Sequence, residues 1–150
     1  MIEYTFPVLL PLAGRLHGWG GLKGCKLIAK VMLGSAYAYA VYDCTGNVQD
    51  TAVSGVVAAL GFSLAHRQGF FDRSQFLIKG AIIASMAAYY MQSPVVLLSS
   101  MIGWFLSYEI AKRVVGYDKT QEGKFFATKV WTFWGETVSL FVASLGLIWG

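Results

Sequence analysis

Apolar residues of this chain form long runs that are separated by short polar segments. The length of the runs and the small and polar residues between them predict five helices. They cover about Lys26–Tyr42, Thr51–Ala65, Phe76–Gln92, Pro94–Ala111 and Phe126–Trp149. Pro94 suits a first helical turn, where its missing N–H is no loss.

A shorter apolar segment, Tyr4–Ala13, precedes these helices and has only ten residues, two of them proline. Because a helix that crosses a hydrocarbon layer needs about 20 residues, we expect this segment to be interfacial or re-entrant. The sequence leaves open whether it spans. A glycine-rich loop is predicted to follow at Gly14–Cys25.

The twelve lysines and arginines fall into three clusters, and the connections around Asp43–Asp50 and Ser93–Pro94 carry none. The clusters are Arg15, Lys23, Lys26 and Lys30; Arg67, Arg73 and Lys79; and Lys112, Arg113, Lys119, Lys124 and Lys129. This alternation is typical of a protein that crosses a membrane several times and keeps its basic loops in the cytoplasm.

Composition favours the same interpretation, because 56% of the residues are hydrophobic and 13% are charged, whereas soluble domains carry about 25% charge. The net charge of +4 does not indicate nucleic-acid binding, since the cations lie at the ends of apolar runs, where they would meet anionic head groups. We therefore predict an all-α integral membrane bundle of about five transmembrane helices, a single domain over residues 1–150, with the lipid bilayer as its partner.

Small residues recur at every fourth position on three predicted helices. The sets are Gly55 and Ala59; Gly80, Ala84 and Ala88; and Gly135, Ser139 and Ala143. Such ridges let helices approach closely. They indicate packing within the chain, or alternatively contact with another protein or a second copy.

Polar residues capable of chemistry converge, on this topology, at the cytoplasmic side. The candidate catalytic residues are His17, His66, Asp72 and Glu136. Histidines and carboxylates are also ligands for a divalent metal, although the sequence does not establish a metal site.

Arg15 and Arg67 are candidates for binding a phosphate group, because a guanidinium binds phosphate through two parallel hydrogen bonds. Each candidate residue also has a structural interpretation. The histidines would form interfacial hydrogen bonds, Asp72 an ion pair or a helix cap, and Glu136 an inward salt bridge. The two cysteines, Cys25 and Cys44, would lie roughly 28 Å apart at opposite ends of one helix, which excludes a disulfide between them.

Three segments together resemble a group of small multi-spanning membrane proteins of unassigned function that tailed bacteriophages and prophages of Gram-negative bacteria encode. The segments are residues 6–18, with Arg15-Leu16-His17-Gly18 the most specific part, residues 66–72, and Trp134-Gly135-Glu136. With the basic clusters in the cytoplasm, the carboxyl terminus is predicted to be periplasmic. The resemblance implies a bacterial inner membrane and a phage-related origin. It implies no activity.

Three functions stay open at this point. The first is action by contact within the host membrane, as in superinfection exclusion or lysis control. The second is a membrane-embedded hydrolase or transferase of lipid head groups, either with or without a metal, with a polar pocket that faces the cytoplasm. The third is a proton- or ion-coupled channel or transporter that depends on Glu136, because a carboxylate within a membrane helix usually faces a partner or a wet cavity.

Overall fold

A computed structural model of the protein describes residues 1–18, 24–64, 81, 85–115 and 136–150. All regular secondary structure in these ranges is helical, which confirms the all-α prediction. A 3₁₀ turn over Ile2–Thr5 leads into α1. The helices are α1 (Phe6–Gly18), α2 (Cys25–Thr45), α3 (Val48–Leu64), α4 (residues 85–91), α5 (Pro94–Val115) and α6 (Glu136–Trp149).

Neighbouring helices pack in the order α3, α2, α1, α6, α5, so that α1 lies in the middle of the series. A cluster of buried apolar side chains joins them, and its largest members include Phe6, Leu10, Tyr37, Phe62 and Val96. Burial raises the pKa of the Tyr37 phenol to about 12, and the nearby Ser100 hydroxyl opposes part of this rise. Tyr37 is therefore a neutral core residue.

The amino-terminal segment is a core helix, so the prediction of an interfacial or re-entrant segment at Tyr4–Ala13 is wrong. Phe6, Leu10 and Ala13 are buried, and their spacing places them on one helical face. Pro7 occupies the first turn, where no intrahelical N–H bond is needed. Pro11 lies inside the helix and lacks the N–H that would bond to the carbonyl of Pro7, yet the helix continues through it.

The connection between α2 and α3 is a short turn in which one residue ends α2 and the next caps the start of α3. Gly46 adopts a φ of 65° and donates its N–H to the Tyr42 carbonyl at 2.7 Å, which ends α2. The Asn47 side chain then caps α3, because its Oδ1 accepts hydrogen bonds from the N–H groups of Gln49 at 2.9 Å and Asp50 at 3.2 Å. This turn makes α2 and α3 antiparallel neighbours.

Helices α2 and α3 approach most closely where Gly34 faces Gly55. A Cβ atom added to Gly34 would lie 2.9 Å from the Gly55 carbonyl oxygen, and one added to Gly55 would lie 3.1 Å from the Ala38 Cβ. The ridge of Gly55 and Ala59 thus packs within the chain, as one of its two interpretations predicted. Its partner on α2, Gly34, was not recognised in the sequence.

Helices α5 and α6 cross in a similar way. A Cβ atom on Gly103 would lie 2.7 Å from the Ser139 carbonyl oxygen, and one on Gly146 would collide with the Ser99 side chain. Ser139 and Ala143, both predicted to form a ridge, are buried here. Gly80, Ala84 and Gly135 lie outside the described residues.

In the part of the chain that the structure describes, no helix combines the length and the apolar character needed to cross a membrane. The predicted bundle of five transmembrane helices is therefore wrong. So is the predicted location, an inner membrane with cytoplasmic basic loops and a periplasmic carboxyl terminus.

The physical reason lies in helix length and in where the charges fall. Over the described residues, α1, α3 and α6 extend about 20, 26 and 21 Å at 1.5 Å per residue, less than the roughly 30 Å of a hydrocarbon core. Helices α2 and α5 are longer, with 21 and 22 residues, but charged residues limit their uncharged stretches, residues 31–42 and 94–108, to about 18 and 22 Å. The charged residues are Lys26, Lys30 and Asp43 in α2, and Glu109, Lys112 and Arg113 in α5.

Candidate functional site

Of the six candidate residues, the structure describes the surroundings of two, Arg15 and His17, which both lie in the last turn of α1. His66, Arg67 and Asp72, three of the predicted site residues, lie outside the described residues. Glu136 begins α6, but its side chain also lies outside the described part. The pocket that these six residues would form stays a prediction.

His17 is a buried residue at the end of the bundle where α1 and α3 end and α2 begins. Its side chain is 2% exposed, and its ring centroid lies 4.5 Å from that of Phe62 at an interplanar angle of 39°. Burial, together with the smaller effect of the nearby charges of Lys26 and Lys30, lowers the pKa of His17 to about 4. The imidazole is therefore neutral near pH 7.

Charge is distributed unevenly along α2 and α3. Lys26 and Lys30 lie in the first two turns of α2, and Arg15 lies at the adjoining end of α1. Asp43 and Asp50 lie at the opposite end, beside the connection between α2 and α3. The end of the bundle that contains His17 is thus positive, and the other end of this helix pair is negative.

An apolar groove runs along the outside of the α2–α3 pair and was not recognised in the sequence. We call it the α2–α3 groove. It has a volume of about 450 Å³, and its lining consists of Leu27, Lys30, Val31, Gly34 and Ser35 from α2, with Gly55, Val56, Ala59 and Leu60 from α3. The sequence signal that could have revealed it is Gly34, four residues before Ala38 on α2, opposite the predicted Gly55 and Ala59 ridge.

The walls of the α2–α3 groove are apolar side chains that face outward. Leu27, Val31, Val56 and Leu60 are 67%, 58%, 59% and 58% exposed. Its floor is formed where the backbones of Gly34 and Gly55 meet. Lys30 is the charged residue in its lining.

Metal and disulfide chemistry have little basis in the described residues. Within those ranges, no three side chains of His, Cys, Asp or Glu come together as a metal site would require. Cys25 and Cys44, which are both described, are free thiols at the two ends of α2. They lie 19 residues apart on one helix, roughly 28 Å at 1.5 Å per residue, which is too far for a disulfide between them.

Comparisons with protein families, with curated proteins and with solved structures found no match to this chain. They give no support to the phage origin that the resemblance implied, and the membrane setting that it implied is wrong. The geometry of the chain is therefore the evidence that bears on its function.

Proposed function

We propose that this protein acts by direct contact with a partner molecule, and that the partner places an apolar segment in the α2–α3 groove. The proposal keeps the part of the first hypothesis that does not depend on a bilayer, which is action through contact. It is supported by one observation above all. Four aliphatic side chains with more than half of their surface exposed border a floor of glycine backbone.

Such a surface favours binding because exposed apolar patches commonly mark interaction sites. Fully burying one Val or Leu side chain contributes about 1.5–3 kcal/mol. Covering the exposed half of four such side chains would thus contribute about 3–6 kcal/mol. This gain is comparable with the lower estimates of the freedom that two molecules lose on association, about 4 kcal/mol and upward, so the partner must also contribute burial of its own.

The catalytic hypothesis has less support among the described residues. His17 is the one catalytic candidate whose surroundings are described. It is neutral and buried against Phe62 in the core. A general base must come within hydrogen-bond reach of its substrate, and a side chain that is 2% exposed does not offer that access. The roles proposed for His66, Asp72 and Glu136 stay predictions.

The experiment that tests the proposal is site-specific crosslinking in cells. A photoreactive benzophenone amino acid is placed at Val56, in the groove wall, and in a second variant at Val48, which is more exposed but begins the same helix away from the groove. We expect a discrete adduct from position 56 and not from position 48.

A second pair of variants shows whether the adduct depends on the groove itself. Ser35→Phe fills the groove, because Ser35 is an exposed residue of its lining, whereas Ala52→Phe adds the same ring on α3 outside it. The adduct should disappear with Ser35→Phe and persist with Ala52→Phe. An adduct that forms equally at both positions, or that survives Ser35→Phe, would contradict the proposal.

A further inference from the structure

We propose that the ligand of the α2–α3 groove is a single-chain anionic amphiphile of the fatty-acid class. Its alkyl chain would lie along Val31, Gly34 and Val56, and its carboxylate would lie beside Lys30. The inference rests on the proposed function, because it assigns a chemical class to the partner of the same groove.

The charge at one end of the groove favours an anionic ligand. Lys30 lines the groove, and Lys26 lies one helical turn before it on the same side of α2. Asp43 lies 13 residues beyond Lys30, or roughly 20 Å along α2. An anionic head group is therefore attracted to one end of the groove and repelled from the far end of the helix pair.

The shape of the groove favours a slender ligand. Its volume of about 450 Å³ falls in the range of roughly 300–1,000 Å³ that small-molecule sites occupy. The part of α2 that lines it, from Leu27 to Ser35, is about 12 Å long. A stable interface with another protein buries roughly 800 Å² on each partner, more than a groove two helical turns long provides. A slender alkyl chain fits the space better than a helix from another protein or a second copy.

The distribution of polarity in the lining favours an amphiphile with one charged group. The walls are Leu27, Val31, Val56 and Leu60, and the charged group of the lining, Lys30, lies on the amino-terminal half of α2. This arrangement of an extended apolar wall with one cation matches a molecule with a long apolar tail and one anionic group. It does not match a cationic ligand.

The test uses the 150-residue chain and two probes with the same alkyl chain, dodecanoate and dodecyltrimethylammonium, below their micellar concentrations. Binding is measured by titration calorimetry, and the methyl resonances of Val31 and Val56 report whether the probe occupies the groove. We expect dodecanoate to bind more tightly than the cationic probe. We also expect its affinity to fall as salt is added, because the ion pair is partly exposed.

Variants identify the head-group contact. Lys30→Glu should weaken dodecanoate binding about three- to fivefold, the effect of losing a partly exposed ion pair, and should strengthen binding of the cationic probe. Lys26→Glu makes the same change of net charge outside the groove lining, and its effect should be smaller. Ser35→Phe should block both probes, and Ala52→Phe should block neither.

The outcomes separate this inference from the proposed function. If both probes bind equally in the groove and Lys30→Glu changes neither, the anionic ligand is ruled out while action by contact stands. The same holds if neither probe binds but the Val56 adduct forms, or if sedimentation shows a dimer that Ser35→Phe disrupts, which would make a second copy the occupant. If no probe binds and no groove-dependent adduct forms, both proposals fail.

Discussion

The close approach of α2 and α3 makes the effect of enlarging Gly34 predictable. In Gly34→Ala, the new Cβ would lie 2.9 Å from the Gly55 carbonyl oxygen, whereas ordinary contacts begin at 3.4 Å. The obstructing atom belongs to the backbone, so a side-chain rotation cannot relieve the clash. The two helices must instead separate by a few tenths of an ångström along this crossing.

Two opposing effects determine the change in the free energy of unfolding. Overpacking of a well-packed interior typically costs about 1–3 kcal/mol, while replacing glycine by alanine inside a helix stabilises it by up to about 1 kcal/mol. We expect packing to dominate, with Gly34→Ala less stable by about 1 kcal/mol. Gly34→Leu has a similar helix propensity but adds three more carbons, so it should lose more than about 3 kcal/mol.

The measurement is urea or thermal unfolding followed by circular dichroism. Ser35→Ala is the matched control, because Ser35 is the next residue of the same helix and is exposed, so it reports helix propensity without the crossing. At this chain length, 1 kcal/mol changes the melting temperature by about 2–4 °C. If Gly34→Ala and Gly34→Leu are both as stable as Ser35→Ala, the glycine crossing does not hold these helices together.

Three further predictions concern the ends of the helices and His17. Asn47→Ala should lower stability by about 1 kcal/mol because α3 loses its cap, and Asn47→Asp should retain most of it; denaturation midpoints measure both. Gly46→Ala should cost about 1–2 kcal/mol through its φ of 65° alone, since an added Cβ meets nothing within 4 Å, and Gly46→Asn should cost less. The pKa of His17 is lowered from 6.5 to about 4, so the unfolded chain binds more protons between these values. Stability should therefore be complete above about pH 6.5 and fall as the pH drops towards 4. His17→Gln should remove that dependence, and the imidazole NMR resonances should identify His17 as the group.

Much of the helical structure could be predicted from local signals. Pro94 begins α5, as its preference for a first turn indicated. The polar residues between Asp43 and Asp50 contain the observed turn, where Gly46 and Asn47 act. The first helix was missed because its two prolines were interpreted as interruptions. Pro7 lies in a turn that needs no intrahelical N–H bond, and burial of the apolar face compensates for the bond that Pro11 lacks.

The error about the membrane came from the alternation of basic clusters and from average composition, neither of which shows how far a helix extends without charge. The tract Lys26–Tyr42 looked apolar as a whole, but α2 carries Lys26 and Lys30 at one end and Asp43 at the other. The α2–α3 groove was missed for a related reason. A groove needs two helices in register, and nothing in the sequence pairs Gly34 with Gly55 before the turn at Gly46 brings α2 and α3 together.

The exposure of the groove walls follows from the same glycines that hold α2 and α3 together. A larger residue at Gly34 or Gly55 would push the helices apart, and its side chain would itself cover part of the floor. With glycine at both positions, the helices meet at their backbones, and no side chain is available at the crossing to shield Val31 and Val56. The close packing of these helices thus leaves apolar walls in contact with the surroundings. Those walls are the surface that the proposed partner would cover.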